Sequence, residues 1–173
     1  MLEGVRIGTH TPDMDAAALS LEASVLGDPS ERRRLGGPAI RSFARLADAW
    51  GLSERERLRV LGQPGRSTYY AWLERAAAGA AVAPPLDVLF RISAVLGIHK
   101  GLVILFETVA ERLDWLRRPH GAPPFGGLPP LAHVADGTPD GPMRVRRFLD
   151  AARGGTFMAP NAADAEGTDL VLL

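Results

Sequence analysis

The chain has 173 residues, 18.5 kDa, with 46% apolar and 23% charged side chains. That composition is ordinary for a soluble globular protein and is enough for one or two small domains with real cores. It contains no cysteine, which excludes disulfides, thiolate metal sites and cysteine nucleophiles and agrees with a reducing, cytoplasmic setting.

Lysine plus arginine and aspartate plus glutamate number 20 each, yet the charges are segregated. Before residue 31, Glu3, Asp13, Asp15, Glu22 and Asp28 face one base, Arg6. From Glu31 to Gly79 ten arginines stand against five acids, and after Gly154 only Asp164, Glu166 and Asp169 are charged. A neutral chain with a basic middle can bind nucleic acid through that middle. Lys100 is the only lysine. No apolar run approaches the roughly 20 residues a membrane helix needs. No basic stretch followed by an apolar one marks a secretory signal, so no membrane partner is expected.

Taken in order, residues 1–12 read as an irregular arm. Pro12-Asp13 opens a helix through Ala16, Leu19, Ala23 and Leu26 to Gly27, which Asp28-Pro29-Ser30 breaks. Arg32-Arg33-Arg34 reads as a solvated run, with phosphate contact as the alternative, and Gly36-Gly37-Pro38 as a second break. Ile40, Phe43, Ala47 and Trp50 recur at helical spacing and are expected buried; Gly51 ends that helix. Ser53-Glu54-Arg55-Glu56 has the form of a capping box opening a helix to Leu61. Gly62-Gln63-Pro64-Gly65 then turns the chain, and Arg66-Ser67-Thr68 is expected to cap a second helix that ends at Gly79.

Helix, short glycine turn and second helix form a helix-turn-helix pattern, in which the start of the second helix enters the major groove. The candidate DNA contacts are Arg66, Ser67, Thr68, Tyr69, Tyr70 and Arg75, with guanidinium and hydroxyls on phosphates and exposed Tyr69 or Tyr70 toward bases. Leu58, Leu61, Trp72 and Leu73 are expected to pack the helix pair together.

Ala76 to Pro85 reads as a small-residue linker, and Pro84-Pro85 suits the first turn of the next helix. Leu86, Leu89, Phe90, Ser93 and Leu96 form its expected inner face, stopped by Gly97. Leu102, Phe106, Val109, Leu113 and Leu116 continue a further helix at the same period. The run 102–106 is compatible with a strand, but the helical spacing that follows favours helix. A proline-broken connector leads to the Gly126-Gly127 stop and a short apolar segment begun by Pro129-Pro130. The last helix ends at Gly154-Gly155, with Val145, Phe148, Leu149 and Ala152 as an apolar stripe and Arg144, Arg147 and Asp150 facing away. The fold class is all-α. After Gly155 the chain turns small and polar and ends on Asp169-Leu170-Val171-Leu172-Leu173.

Catalytic constellations are not evident. His10, His99, His120 and His133 are scattered without helical pairing. No phosphate-cradling glycine motif or nucleophile elbow accompanies the Gly-Gly pairs. The chain reads as no enzyme, with no metal and no cofactor.

Trp115-Leu116, Pro119, Phe125-Gly126-Gly127, Pro130-Leu131, Gly137, Val145 and Phe148 through Gly155 resemble the toxin-binding domain of Xre/MbcA/ParS antitoxins. Leu61-Gly62, Arg66-Ser67-Thr68 and Trp72 likewise resemble the Xre-type helix-turn-helix region of that family. The resemblance implies a type II antitoxin whose C-terminal domain holds a RES-domain, NAD-consuming toxin and covers its active site. It also implies operator binding for autoregulation and a homodimer within a hetero-oligomeric complex. It assigns an N-terminal arm and helix to 1–37, the helix-turn-helix region to 38–106, the toxin-binding domain to 107–155 and a C-terminal tail to 156–173. Implied toxin-binding residues are Trp115, Leu116, Phe125, Leu131, Arg144, Arg147, Phe148, Arg153, Gly154, Gly155, Leu172 and Leu173. The tail is then expected either to plug the toxin's cleft or to add a strand to its sheet. The alternatives are a stand-alone helix-turn-helix regulator with a dimerising or ligand-sensing C-terminal module, and an adaptor without a DNA role.

Overall fold

Asp28 opens the first described helix, α1 (Pro29–Ala49): its carboxylate accepts the Ser30 backbone N–H at 2.8 Å, and Pro29 occupies a position whose N–H would have no partner. The computed structural model describes residues 28–154. The expected arm and helix before Asp28, and Gly155, Leu172 and Leu173 with the rest of the tail, lie outside them. Every regular element among the described residues is an α-helix. Two compact units divide between Ser93 and Ala94.

The expected break at Gly36-Gly37-Pro38 does not occur; α1 runs through it. A Cβ at Gly36 would lie 2.0 Å from the Val82 carbonyl oxygen, so this glycine lets the 80–85 segment lie against the helix. Ile40, Phe43, Ala47 and Trp50 are buried as their spacing requires. α2 (Glu54–Val60) starts with the full Ser53/Glu56 capping box. Gly62 (φ 81°) and Gln63 (φ 60°) then turn the chain into α3 (Arg66–Ala77), which packs on α1. The hydroxyls of Ser67 and Thr68 do not cap α3. Its N-cap is Gly65 with no side-chain bond, which places both hydroxyl residues in the first turn.

Four arginines fasten this unit to its own backbone. Arg41 donates to the Ala76 carbonyl at 2.7 Å, Arg57 to Leu52 at 2.9 Å, Arg75 to Ala81 at 2.8 Å and buried Arg91 to Val60 at 3.5 Å. A guanidinium at a helix C-terminus satisfies carbonyls that the helix leaves unpaired. The segment after α3 is therefore anchored rather than a loose linker, and Val82 and Pro84 are buried in it.

α4 (Leu86–Leu105) also ignores its expected stop at Gly97. A Cβ there would meet Arg146 Nε at 2.7 Å, and one at Gly101 would meet Leu149 Cβ at 3.1 Å. These glycines are where α7 (Asp140–Arg153) comes close, so they mark packing rather than punctuation. The buried face carries Val88, Leu89, Ile92, Val95, Ile98 and Leu102, while Leu96, expected inside, is exposed. Uninterrupted, α4 is long and apolar enough to cross a membrane, contrary to the expectation that no run approaches that length; half of its most apolar window is buried within the fold.

The strand alternative at 102–106 is not taken. The chain instead breaks at Phe106–Thr108 and restarts as α5 (Val109–Arg117), with Thr108 and Glu111 forming a second capping box. Val109, expected on the inner face, is exposed, because the restart changes the helix's register. α6 (Pro130–Val134) packs between α5 and α7. At Gly141 a Cβ would fall 2.2 Å from the His133 carbonyl oxygen, so the start of α7 needs this glycine to lie on α6.

Candidate functional site

Trp115 is the centre of the unit that begins at Ala94. Its ring lies 6.2 Å from Phe106, 5.2 Å from His120, 5.8 Å from Phe125 in an edge contact, and 6.0 Å from Phe148 in a stacked one. Phe125 in turn meets Phe148 at 4.9 Å and His133 at 5.7 Å. Aromatic pairs in this range contribute about 0.5–1.5 kcal/mol each beyond area burial. Two histidines tie this cluster to the backbone: His120 Nε2 lies 2.9 Å from the Trp115 carbonyl and His133 Nε2 lies 3.1 Å from that of Phe125. The connector closes on itself through Gly127 N–H to the His120 carbonyl at 2.8 Å, with Gly126 (φ 57°) and Gly127 (φ 87°) in conformations other residues resist.

The buried positions Trp115, Leu116, Phe125 and Leu131 therefore build the frame. What they hold up is an open groove lined by Pro123, Pro124, Arg144, Arg147, Phe148 and Ala151, about 360 Å³ in volume. Its walls are apolar and its rim carries two guanidinium groups. Asp140 accepts hydrogen bonds from Arg147 and, at 2.9 Å, from Arg144. Those bonds, Arg147's first and then Arg144's, hold its carboxyl below the usual carboxylate range. Arg144 also approaches His133 Nδ1 at 3.3 Å, which links the rim to the aromatic cluster. Arg153 pairs with Asp150 at 3.0 Å, and Gly154 ends α7. Such a surface offers an apolar slot with flanking donors for a carboxylate, and no nucleophile or acid–base pair within it.

The lining residues Pro123, Pro124 and Ala151 were not among the expected toxin-binding residues. Ala151 was recoverable, since it lies one turn beyond Phe148 and Arg147 on the same face of α7. The two prolines reach the groove through the folded connector, which periodicity does not describe.

At the start of α3 the expected contacts divide. Arg66, Ser67, Thr68 and Tyr70 are exposed. Tyr69, expected exposed, is buried, only 2% of its surface remaining accessible. Burial raises its phenol's pKa, with the nearby Arg57 guanidinium opposing, while its hydroxyl lacks a partner at hydrogen-bond geometry. The reason is helical phase: positions 69 and 76 share the face toward α1, so Tyr69 sinks with Ala76. Arg75 is held by the Ala81 carbonyl. Glu54 was missed altogether: its carboxylate pairs with Arg66 at 3.0 Å and accepts from the Tyr70 hydroxyl, while Arg66 also lies over the Tyr70 ring at 5.8 Å. Trp72 is half-buried, beside a second groove that includes Arg33, Thr68 and Arg75.

Residues 102–155 match the family model described as the antitoxin Xre/MbcA/ParS C-terminal toxin-binding domain. The matched span opens at the end of α4 and contains Trp115, the aromatic cluster and all of α7. A protein of Sinorhizobium fredii, known as uncharacterized protein y4oB, is 42% identical over 117 residues, covering 67% of this chain and 84% of its own length. No solved structure matches the chain significantly. With this match seated on a groove-bearing helical module, the chain belongs to the Xre/MbcA/ParS family of antitoxins, whose C-terminal domain binds a toxin.

Proposed function

We propose that this chain neutralises a RES-domain, NAD-consuming toxin by docking its C-terminal module against the toxin and covering the active site, acting by binding and without catalysis. The observation that carries the reading is the groove of Pro123, Pro124, Phe148 and Ala151 with its Arg144 and Arg147 rim, set within the matched domain. An apolar anchor beside a carboxylate on the toxin would meet both of its chemistries, as interface anchors do. On this reading Gly155 and, in the tail 156–173, Leu172 and Leu173, all outside the described residues, also contribute to toxin binding. The domain division is 38–106 for the helix-turn-helix region and 107–155 for toxin binding.

The chain also acts as a dimer that binds its operator through α2 and α3. Support comes from exposed Arg66, Ser67, Thr68 and Tyr70 at the start of α3. With Tyr69 buried, the base-reading role passes to Tyr70 alone.

Co-expression of the chain with the product of the neighbouring gene tests the toxin reading. A stable complex and suppressed NAD loss are expected; a partner that binds without consuming NAD overturns the RES assignment. Electrophoretic shift of the promoter fragment tests the DNA reading. Arg66→Ala is expected to weaken the shift and reduce the slope against log salt by about one. An unshifted fragment at low salt removes the operator role.

A further inference from the structure

The groove beside Trp72 is open and about 430 Å³ in volume, lined by Arg33 from the second turn of α1, by Thr68, Ala71 and Trp72 from α3, and by Val82 from the segment that follows. Its chemistry is mixed. Ala71, half-buried Trp72 and buried Val82 are apolar, whereas Arg33 is exposed and makes no ion pair among the described residues. The neighbouring Arg34 is already taken, by Glu31 at 2.6 Å. The Trp72 indole N–H likewise has no hydrogen-bond partner among the described residues. An apolar side chain with a carboxylate one turn away matches both halves of this groove, while a phosphate chain would satisfy the guanidinium and leave the apolar wall unused.

The chain carries such a segment directly beside the groove. Residues 1–27, outside the described ones, hold Glu3, Asp13, Asp15 and Glu22 against the single base Arg6. They join α1 at Asp28, and Arg33 follows five residues later, about 7.5 Å along the helix. A reversal at Gly27, a residue type that turns without steric cost, would set Glu22, six residues before Asp28, level with Arg33. Leu19, three residues before Glu22, then reaches the wall of Trp72 and Ala71. A tether this short holds the segment at an effective concentration on the order of millimolar, which lets one ion pair and one apolar contact suffice.

We propose that the acidic segment before Asp28 docks in this groove of its own chain, Glu22 on Arg33 and Leu19 against Trp72, and that it thereby screens Thr68 from nucleic acid. The screening rests on the operator reading above; the docking does not. The indole N–H resonance of Trp72 in the full chain reads the docking. Its loss in Trp72→Phe identifies it, Trp50 and Trp115 serve as internal references, and circular dichroism reports the fold of each variant. Glu22→Arg and Arg33→Glu are each expected to move the Trp72 resonance and leave the other two in place, and the double exchange to return it. In Arg33→Lys, zero-length carbodiimide coupling is expected to link the introduced amine to Glu22 within one chain. A Trp72 resonance that ignores Glu22→Arg, or that the double exchange does not return, overturns the docking. A coupling product confined to Asp28 or Glu31, or one that joins two chains, does the same. A resonance that ignores Glu22→Arg but moves on addition of duplex DNA shows nucleic acid in the groove and also overturns it. For the screening, the promoter fragment is expected to bind Glu22→Gln about threefold more tightly than Glu3→Gln, which has the same net charge, as the loss of one exposed ion pair would give. Equal affinities overturn the screening and leave the docking standing. A wild type that binds no duplex at low salt overturns the operator reading and the screening with it, while the resonance still decides the docking.

Discussion

Between α1 and α4 the guanidinium groups of Arg41 and Arg75 turn onto backbone carbonyls and those of Arg57 and Arg91 divide between a carbonyl and a carboxylate, whereas on α7 those of Arg144, Arg147 and Arg153 turn onto carboxylates at the surface. Three of the ten arginines between Glu31 and Gly79, namely Arg41, Arg57 and Arg75, are committed to backbone carbonyls, so the count overstates the cationic surface open to a phosphate chain. In the second unit Arg112 fastens the backbone in the same way, to the Phe106 and Glu107 carbonyls, but α7 packs on an aromatic core of Trp115, Phe125 and Phe148. Its arginines are left for a rim. Charge summed along a window therefore says little about where charge is presented; the packing of the neighbours decides it.

The sharpest way to break the comparison is to remove the apolar frame under the rim. Leu149→Ala takes a fully buried side chain from beneath Gly101 and is expected to cost about 2–5 kcal/mol, read as a loss of stability in urea unfolding. A loss below about 1 kcal/mol would mean that the second unit does not rely on its core in this way.

Next in size is a contrast between two glycines. Gly36→Ala drives a methyl group into the backbone carbonyl of Val82 and is expected to cost about 1–3 kcal/mol. Gly97→Ala meets only the end of the Arg146 side chain, which can swing aside, and should cost distinctly less in the same unfolding experiment. Equal losses would contradict the distinction between a backbone and a side-chain obstacle.

These glycines also show how far the sequence could be followed. The all-α class, the Ser53–Glu56 capping box, the buried Ile40–Trp50 stripe and the Trp115–Gly154 module were all legible, because each has a local signature in spacing or capping chemistry. Gly36 and Gly97 were misread as stops. A glycine that ends a helix and one that admits a neighbouring backbone look alike until the neighbour's position is known. The Thr108-x-x-Glu111 capping box was legible and overlooked, so the restart of the helix at Val109 went with it. Pro123 and Pro124 in the groove, and Glu54 beneath Arg66 and Tyr70, depend on tertiary placement, for which the chain carries no local signal.

The two capping boxes offer a milder test. Ser53→Ala and Thr108→Ala are each expected to cost about 1 kcal/mol, one in each unit, by removing an acceptor for a first-turn N–H. Hydrogen exchange should localise the first loss to α2 and the second to α5.

The smallest effect is a pH dependence. Burial, and then the charge of Arg112, lower the His99 pKa from its ordinary 6.5. The unfolded chain therefore binds a proton there before the folded one does, and stability falls as pH drops below about 6.5. His99→Gln is expected to flatten the melting temperature between pH 7.5 and 5.5; an unchanged slope would assign the acid sensitivity elsewhere.

The most direct test of the central claim is calorimetric titration of the partner toxin with the wild-type chain and with Ala151→Glu and Arg147→Glu. Both substitutions alter the groove without touching the aromatic frame. Binding weakened at least tenfold by each, with unchanged melting temperature, is the expected result. Wild-type affinity in both variants would show that the toxin docks elsewhere and that the groove on α7 is not its site.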